Sequence, residues 1–114
     1  MVGNSNKISQ NLNKVSGDKN LIDGDLNKVA GNDNTVSGKN NAILGNENAL
    51  KGVGNTVSGS SNAIQGSENV VDGKENLVTG KLNQMIGDKN SVLSGDLNVV
   101  IGANNNLQGS SNFI

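Results

Sequence analysis

Gly31-Asn32-Asp33-Asn34-Thr35-Val36-Ser37-Gly38 contains the order Asn34, one residue, aliphatic Val36, one residue, Gly38. Seven residues on, the order returns at Asn41, Ile43 and Gly45, and it extends in both directions from there. The Asn series runs Asn6, Asn13, Asn20, Asn27, Asn34, Asn41, Asn48, Asn55, Asn62, Asn69, Asn76, Asn83 and Asn90, then resumes one residue late at Asn98, Asn105 and Asn112. An aliphatic residue or Met stands two places after each of these sixteen Asn, from Ile8 and Val15 through Met85 to Leu107 and Ile114. Hydrophobic residues make up only 32% of the chain. At that frequency, and allowing for seven possible registers, chance would produce such a series about once in ten million trials. Composition alone would suit a disordered Asn/Gly/Ser tract, and the ordering excludes it.

A seven-residue period invites comparison with a coiled coil. One dependable apolar position per heptad cannot make the two-position seam that a coiled coil needs. Gly closes nearly every unit, with Gln10 breaking the series, and each Gly inside a helix costs about 1 kcal/mol relative to Ala. The apolar position is mostly β-branched, which favours strands. The period therefore belongs to extended chain.

Side chains of a strand alternate between faces. If the aliphatic residue points inward, so does the Asn two places before it, and the residues one and three places after the Asn point to solvent. Gly and the two residues after it make a corner, where Gly adopts positive φ without penalty. Seven residues then give one strand and one corner, and fourteen give one circuit of a flattened tube. The expected fold is an all-β solenoid, or β-roll, of about eight 14-residue coils with two parallel sheets, in one domain spanning 1–114. At ~4.8 Å per coil the rod should be roughly 38 Å long. Inward Asn side chains can stack in register and bond to one another and to corner backbone, as in cross-β ladders. The extra residue within Ser91-Val92-Leu93-Ser94-Gly95 reads as a bulge or widened corner giving one fifteen-residue coil.

Alternate units belong to opposite sheets. The first outward face carries Lys7/Ser9, Leu21/Asp23, Thr35/Ser37, Ala49/Lys51, Ala63/Gln65, Leu77/Thr79, Ser91/Leu93 and Asn106/Gln108. The second carries Lys14/Ser16, Lys28/Ala30, Ala42/Leu44, Thr56/Ser58, Val70/Asp72, Gln84/Ile86, Val99/Ile101 and Phe113. Beyond its first two coils the second face has a single charge, Asp72, and an exposed aliphatic surface of this kind often marks an interaction site. Most charge sits at the corners, where Lys19 with Asp33, Lys74 with Asp88 and Glu75 with Lys89 should stack one coil apart.

The chain has no His, Cys, Tyr, Trp or Pro, and all nine cations are Lys. Most acid–base and nucleophilic schemes lack their usual residue, so no catalytic residue and no enzyme activity is expected. No cofactor is expected either. The acids fall irregularly at the corners, unlike the regular Asp of calcium-binding rolls, so no metal site is expected. A net charge of −1 with Lys scattered singly argues against nucleic acid, which needs a basic stripe. No apolar run exceeds Val99-Val100-Ile101, far short of a membrane span. Met1-Val2-Gly3-Asn4 leads directly into the repeat, so no signal peptide is expected within this stretch.

Units such as Gly31-Asn32-Asp33-Asn34-Thr35-Val36-Ser37-Gly38 and Gly54-Asn55-Thr56-Val57-Ser58-Gly59 closely resemble the xxNxVxG repeat of the grass ice-recrystallisation-inhibition antifreeze proteins. The resemblance covers Asn4 to Ile114. It implies a left-handed β-roll with an internal Asn ladder, a secreted, apoplastic setting, and an ice crystal surface as partner, with strong inhibition of ice recrystallisation. This chain departs from the family in having only three Thr, at Thr35, Thr56 and Thr79, and in the Lys and Asp that interrupt both faces. On its uncharged stretch the second face is the expected ice-binding surface, through Ala42, Leu44, Thr56, Ser58, Val70, Gln84, Ile86, Val99 and Ile101. The other reading is a structural or adhesive β-roll that presents one face to protein or carbohydrate. A monomer is expected over a dimer.

Overall fold

Residues 2–114 are described by a computed structural model, and Met1 lies outside them. In chain order the strands are β1 (Lys7–Ser9), β2 (Lys14–Ser16), β3 (Leu21–Asp23), β4 (Lys28–Ala30), β5 (Thr35–Lys39), β6 (Ala42–Asn46), β7 (Ala49–Val53) and β8 (Thr56–Ser60). They continue as β9 (Ala63–Ser67), β10 (Val70–Lys74), β11 (Leu77–Lys81), β12 (Gln84–Ile86), β13 (Ser91–Ser94), β14 (Val99–Ile101) and β15 (Asn106–Gln108). Odd strands form one eight-stranded sheet and even strands a seven-stranded sheet, each in order along the rod. Every pairing is parallel, and the register places each residue on the one fourteen positions later, as in Thr35↔Ala49 and Val57↔Val71, or fifteen where the pairing crosses the extra residue, as in Gln84↔Val99. The sixteenth unit is reduced to a single bridge, Val99↔Phe113. The molecule measures 39 × 21 × 14 Å, matching the length expected from the coil count.

Between the sheets lies one continuous column of aliphatic residues, Val15 through Leu107, with Ile8 partly buried against it. Beside it run two Asn ladders. Asn62 represents their interior. Its Nδ2 donates to Asn48 Oδ1 in the coil before (3.1 Å) and to the Gly73 carbonyl in the coil after (2.9 Å). Its backbone N–H shares the same Asn48 oxygen (3.1 Å). Its own Oδ1 in turn accepts the backbone N–H and the amide of Asn76. One amide thus ties three coils together and leaves neither its donors nor its acceptor unused. Asn20 through Asn98 are fully buried, while Asn6, Asn13, Asn105 and Asn112 are half-buried and bonded on one side of the ladder. Among the described residues no buried side-chain nitrogen or oxygen lacks a partner, which is why so much buried amide is tolerated.

Each corner bends at two points where the sequence reading supplied one. The first is the expected Gly. At Gly59 φ is 128°, and an added Cβ would overlap the carbonyl oxygen of Gly73 in the next coil. The second is the residue just before each ladder Asn, which is left-handed in all sixteen units. Gly54 is the only Gly among these, with φ 70°, and the others lie between 56° and 61°. The tight return into the ladder Asn imposes this conformation on Leu, Lys, Glu and Ser alike, against a steric preference of roughly 1–2 kcal/mol per residue.

The extra residue is a bulge at Leu93. Register slips between Val92 and Ser94, so Ser94, not Leu93, opposes Gln108. This corrects the outward column of the first face, where the inserted side chain stands outside the register. The corner charges also need correction. Among the described residues the one ion pair is Lys39–Asp25, at 3.6 Å. Lys19–Asp33 and Glu75–Lys89 make none, and Asp88 instead accepts the backbone N–H of Lys74 (2.9 Å). Corner Asp and Asn do this repeatedly: Asp25 caps Asn11 N–H, Asn32 caps Asp18 N–H and Asp96 caps Lys81 N–H. A backbone N–H at a fixed place outbids a flexible ammonium for the carboxylate, because exposed ion pairs bring little.

Candidate functional site

With the interior occupied by aliphatic and amide columns, whatever the rod does falls to its surfaces: two sheet faces, two edges and two ends. The nine residues expected to form a site all lie on the outward face of the even sheet. Ala42, Thr56, Val70, Gln84 and Val99 stand in one column, each paired with the next. Leu44, Ser58, Ile86 and Ile101 stand in the second, with Asp72 between Ser58 and Ile86. Leu44 and Ile101 are more than half exposed. Side chains on parallel strands in register repeat at the strand spacing of ~4.8 Å, so these columns are evenly spaced. Phe113 extends the first column beside Val99 and is 79% exposed, rather than folding over the end of the core.

The odd face differs in relief. Ala49 and Ala63 are consecutive in its first column, and their short side chains leave a shallow trough of about 370 Å³. Thr35, Ser37, Lys51, Gln65, Leu77 and Thr79 surround it. On the even face a smaller depression of about 300 Å³ lies over Ala30 and Ala42, flanked by Leu44, Thr56 and Ser58. Neither trough converges acids with a nucleophile, and no group of three or more acidic side chains that could hold a metal ion occurs among the described residues.

The contrast between the two edges was overlooked in the sequence reading, which followed only the charges of the corner residues. One edge joins each even strand to the next odd strand. Its left-handed position holds Ser5, Lys19, Asp33, Glu47, Ser61, Glu75, Lys89 and Asn104, all polar. The opposite edge joins odd strands to even strands and holds Leu12, Leu26, Asn40, Gly54, Glu68, Leu82, Leu97 and Ser111 at the same position. All four of these Leu are about half exposed or more, Leu12 most of all at 79%. The neighbouring column of this leucine edge carries Val53, also exposed. A fourteen-residue reading frame would have exposed the pattern, since the seven-residue frame superimposes the two edges.

A scan against protein-family models and a search of curated proteins find no match to this chain, so what is established for it is the architecture: a two-sheeted parallel β-solenoid with an internal asparagine ladder.

Proposed function

We propose that the chain is a non-enzymatic, secreted ice-binding protein that inhibits ice recrystallisation through the outward face of its even sheet. The observation that carries this reading is the pair of outward columns from Ala42/Leu44 to Val99/Ile101, interrupted by one charge, Asp72. A crystalline solid is met best by a surface that is itself ordered and periodic, and parallel strands in register, tied from behind by a hydrogen-bonded ladder, supply both. Water over the aliphatic groups of these columns is poorly held and is displaced at low cost. The likeness to the grass antifreeze repeat supports the same partner.

The test is an ice-recrystallisation assay at micromolar protein. Thr56→Tyr puts a bulky ring in the middle of the even face and should abolish inhibition without changing the melting temperature. Ala63→Tyr on the odd face should leave inhibition intact. The reverse pattern moves the surface to the odd sheet, and an inactive parent chain overturns the proposal.

The second reading, an adhesive roll, is favoured by the trough beside Ala49 and Ala63. Hydroxyl, amide and ammonium groups on its rim offer the hydrogen bonds that a carbohydrate or a peptide would use. Ala63→Tyr fills that trough and would remove adhesion while sparing ice inhibition.

A further inference from the structure

We infer that the leucine edge is a homodimer interface, in which two copies of this chain lie side by side and antiparallel about a two-fold axis at the level of Gly54. Exposed Leu in a left-handed conformation is unfavourable twice over, through its backbone and through its apolar surface in water. Folding does not require it, because the polar edge meets the same backbone demand with Ser, Lys, Asp and Glu.

The order along the edge identifies the occupant. Counting coils from Gly54, Asn40 and Glu68 lie one level away on either side, Leu26 and Leu82 two levels, Leu12 and Leu97 three. Backbone bonds fix this stacking: Leu26 N–H donates to Asn11 and Leu97 N–H to Lys81, each one coil back. The column is therefore a palindrome in character. A two-fold axis across the edge sets Leu12 against the partner's Leu97 and Leu26 against the partner's Leu82. It also brings the Asn40 amide to the partner's Glu68 carboxylate, with Gly54 meeting Gly54 where a side chain would hold the backbones apart. Such an isologous, self-complementary patch is the form most homodimers take.

The adjacent column agrees independently. Val53 lies on the axis and meets its own copy. Two levels out, Asp25 faces the partner's Lys81, and one level out Lys39 faces the partner's Ser67, with the partner's Glu68 next to it in the neighbouring column. Opposite charges face one another at the first of these levels and lie in neighbouring columns at the second. A parallel arrangement, with the axis along the rod, would instead set each Leu beside Asn11, Asp25, Lys81 or Asp96 of its own level. In the antiparallel dimer corresponding sheets of the two copies lie edge to edge, which doubles the width of each outward face.

The edge measures 39 by 14 Å, an area of roughly 550 Å² per copy, below the ~800 Å² of a standard interface. Association should consequently be concentration-dependent. Sedimentation of the full chain from about 1 to 500 µM should show the mass rise from 11.6 kDa toward twice that value. Leu26→Asn and Leu82→Asn suit the left-handed backbone and should keep the fold, read by melting temperature, while holding the chain at monomer mass throughout. The absence of native Cys allows the orientation to be read directly. Leu26→Cys mixed with Leu82→Cys should crosslink on mild oxidation at least about tenfold faster than either alone, because only the mixed pair is held at high effective concentration. A parent that stays at 11.6 kDa over the whole range, or a dimer that survives both Asn variants, overturns the interface. Faster self-crosslinking by Leu26→Cys overturns the antiparallel axis. Ice inhibition is not the readout of any arm, so the two proposals fail separately.

Discussion

At the polar edge Lys19, Asp33 and Glu75 take left-handed φ values of 56–57°, and at the leucine edge Leu12, Leu26, Leu82 and Leu97 take 57–60°. Inward of both edges the chain is also alike: a Gly whose missing Cβ makes room for the next coil's carbonyl, then an Asn bonded to the coils before and after it. Outward, the two share almost nothing. Backbone and interior are therefore set by the closing of the coil, which is identical on both sides, and the side chains that reach solvent are free of that demand. Where they still form a pattern, as at the four Leu, the pattern needs a cause outside folding.

The comparison implies that inward changes on the two halves of a coil should be equally damaging. Val57→Asp in the even sheet and Ile64→Asp in the odd sheet each place an unpaired carboxylate in the core column. Both should unfold the chain, since burying an unpaired charge costs more than a domain's few kcal/mol of stability. Circular dichroism at room temperature is enough to see it, and a variant that melts like the parent would show that its side chain does not point inward.

Next in size are the corner glycines. Gly52→Ala at the leucine edge and Gly59→Ala at the polar edge would drive a methyl group into the carbonyls of Gly66 and Gly73. Each should lower stability by about 3 kcal/mol or more, because the obstacle is backbone and cannot rotate away. A large difference between the two in thermal denaturation would break the equivalence of the edges.

Asn62→Ala and Asn69→Ala test the ladders on their two sides. Each removes an oxygen that accepts two N–H groups and a nitrogen that donates to a neighbouring Gly carbonyl. A loss of roughly 2–4 kcal/mol is expected for both, measured by denaturant unfolding.

The smallest effect sharpens the contrast most. Replacing Leu26 by Asn should raise the stability of the monomer by about 0.5–1 kcal/mol, and Lys19→Asn at the polar edge should do likewise, because Asn tolerates the left-handed region better than either. Melting at low micromolar protein reads this gain. A loss with Leu26→Asn would mean that the side chain packs against its own chain.

How much of this was legible beforehand can be traced through particular residues. Val36 and Asn34 recur at fixed spacing, and the alternation of a strand then dictates which side chains share a face, so the inward columns, the two parallel sheets and the coil count follow from the order of residues. The fit of sixteen aliphatic positions to one register left no competing pairing, since a one-residue slip would turn Asn and Val outward together. The candidate columns from Ala42 to Ile101 were readable for the same reason. Leu93 was placed only to within its five-residue stretch, because a bulge is decided by which residue the neighbouring strands leave unpaired. The left-handed residue before each Asn left no signature in the sequence, for Leu, Lys, Glu and Ser carry no preference for it; the closing geometry of the stacked coils imposes it from outside.

The sequence by itself determined the period, the register and the content of the core, because these depend on side-chain alternation and on identical units stacking on identical units. Only the tertiary structure decided which carboxylates cap backbone N–H groups in place of pairing with Lys, which residue of the Ser91–Gly95 stretch falls out of register, and that the four Leu of one edge stay exposed. Those relations join residues one coil or several coils apart, and they exist only once the chain has closed upon itself.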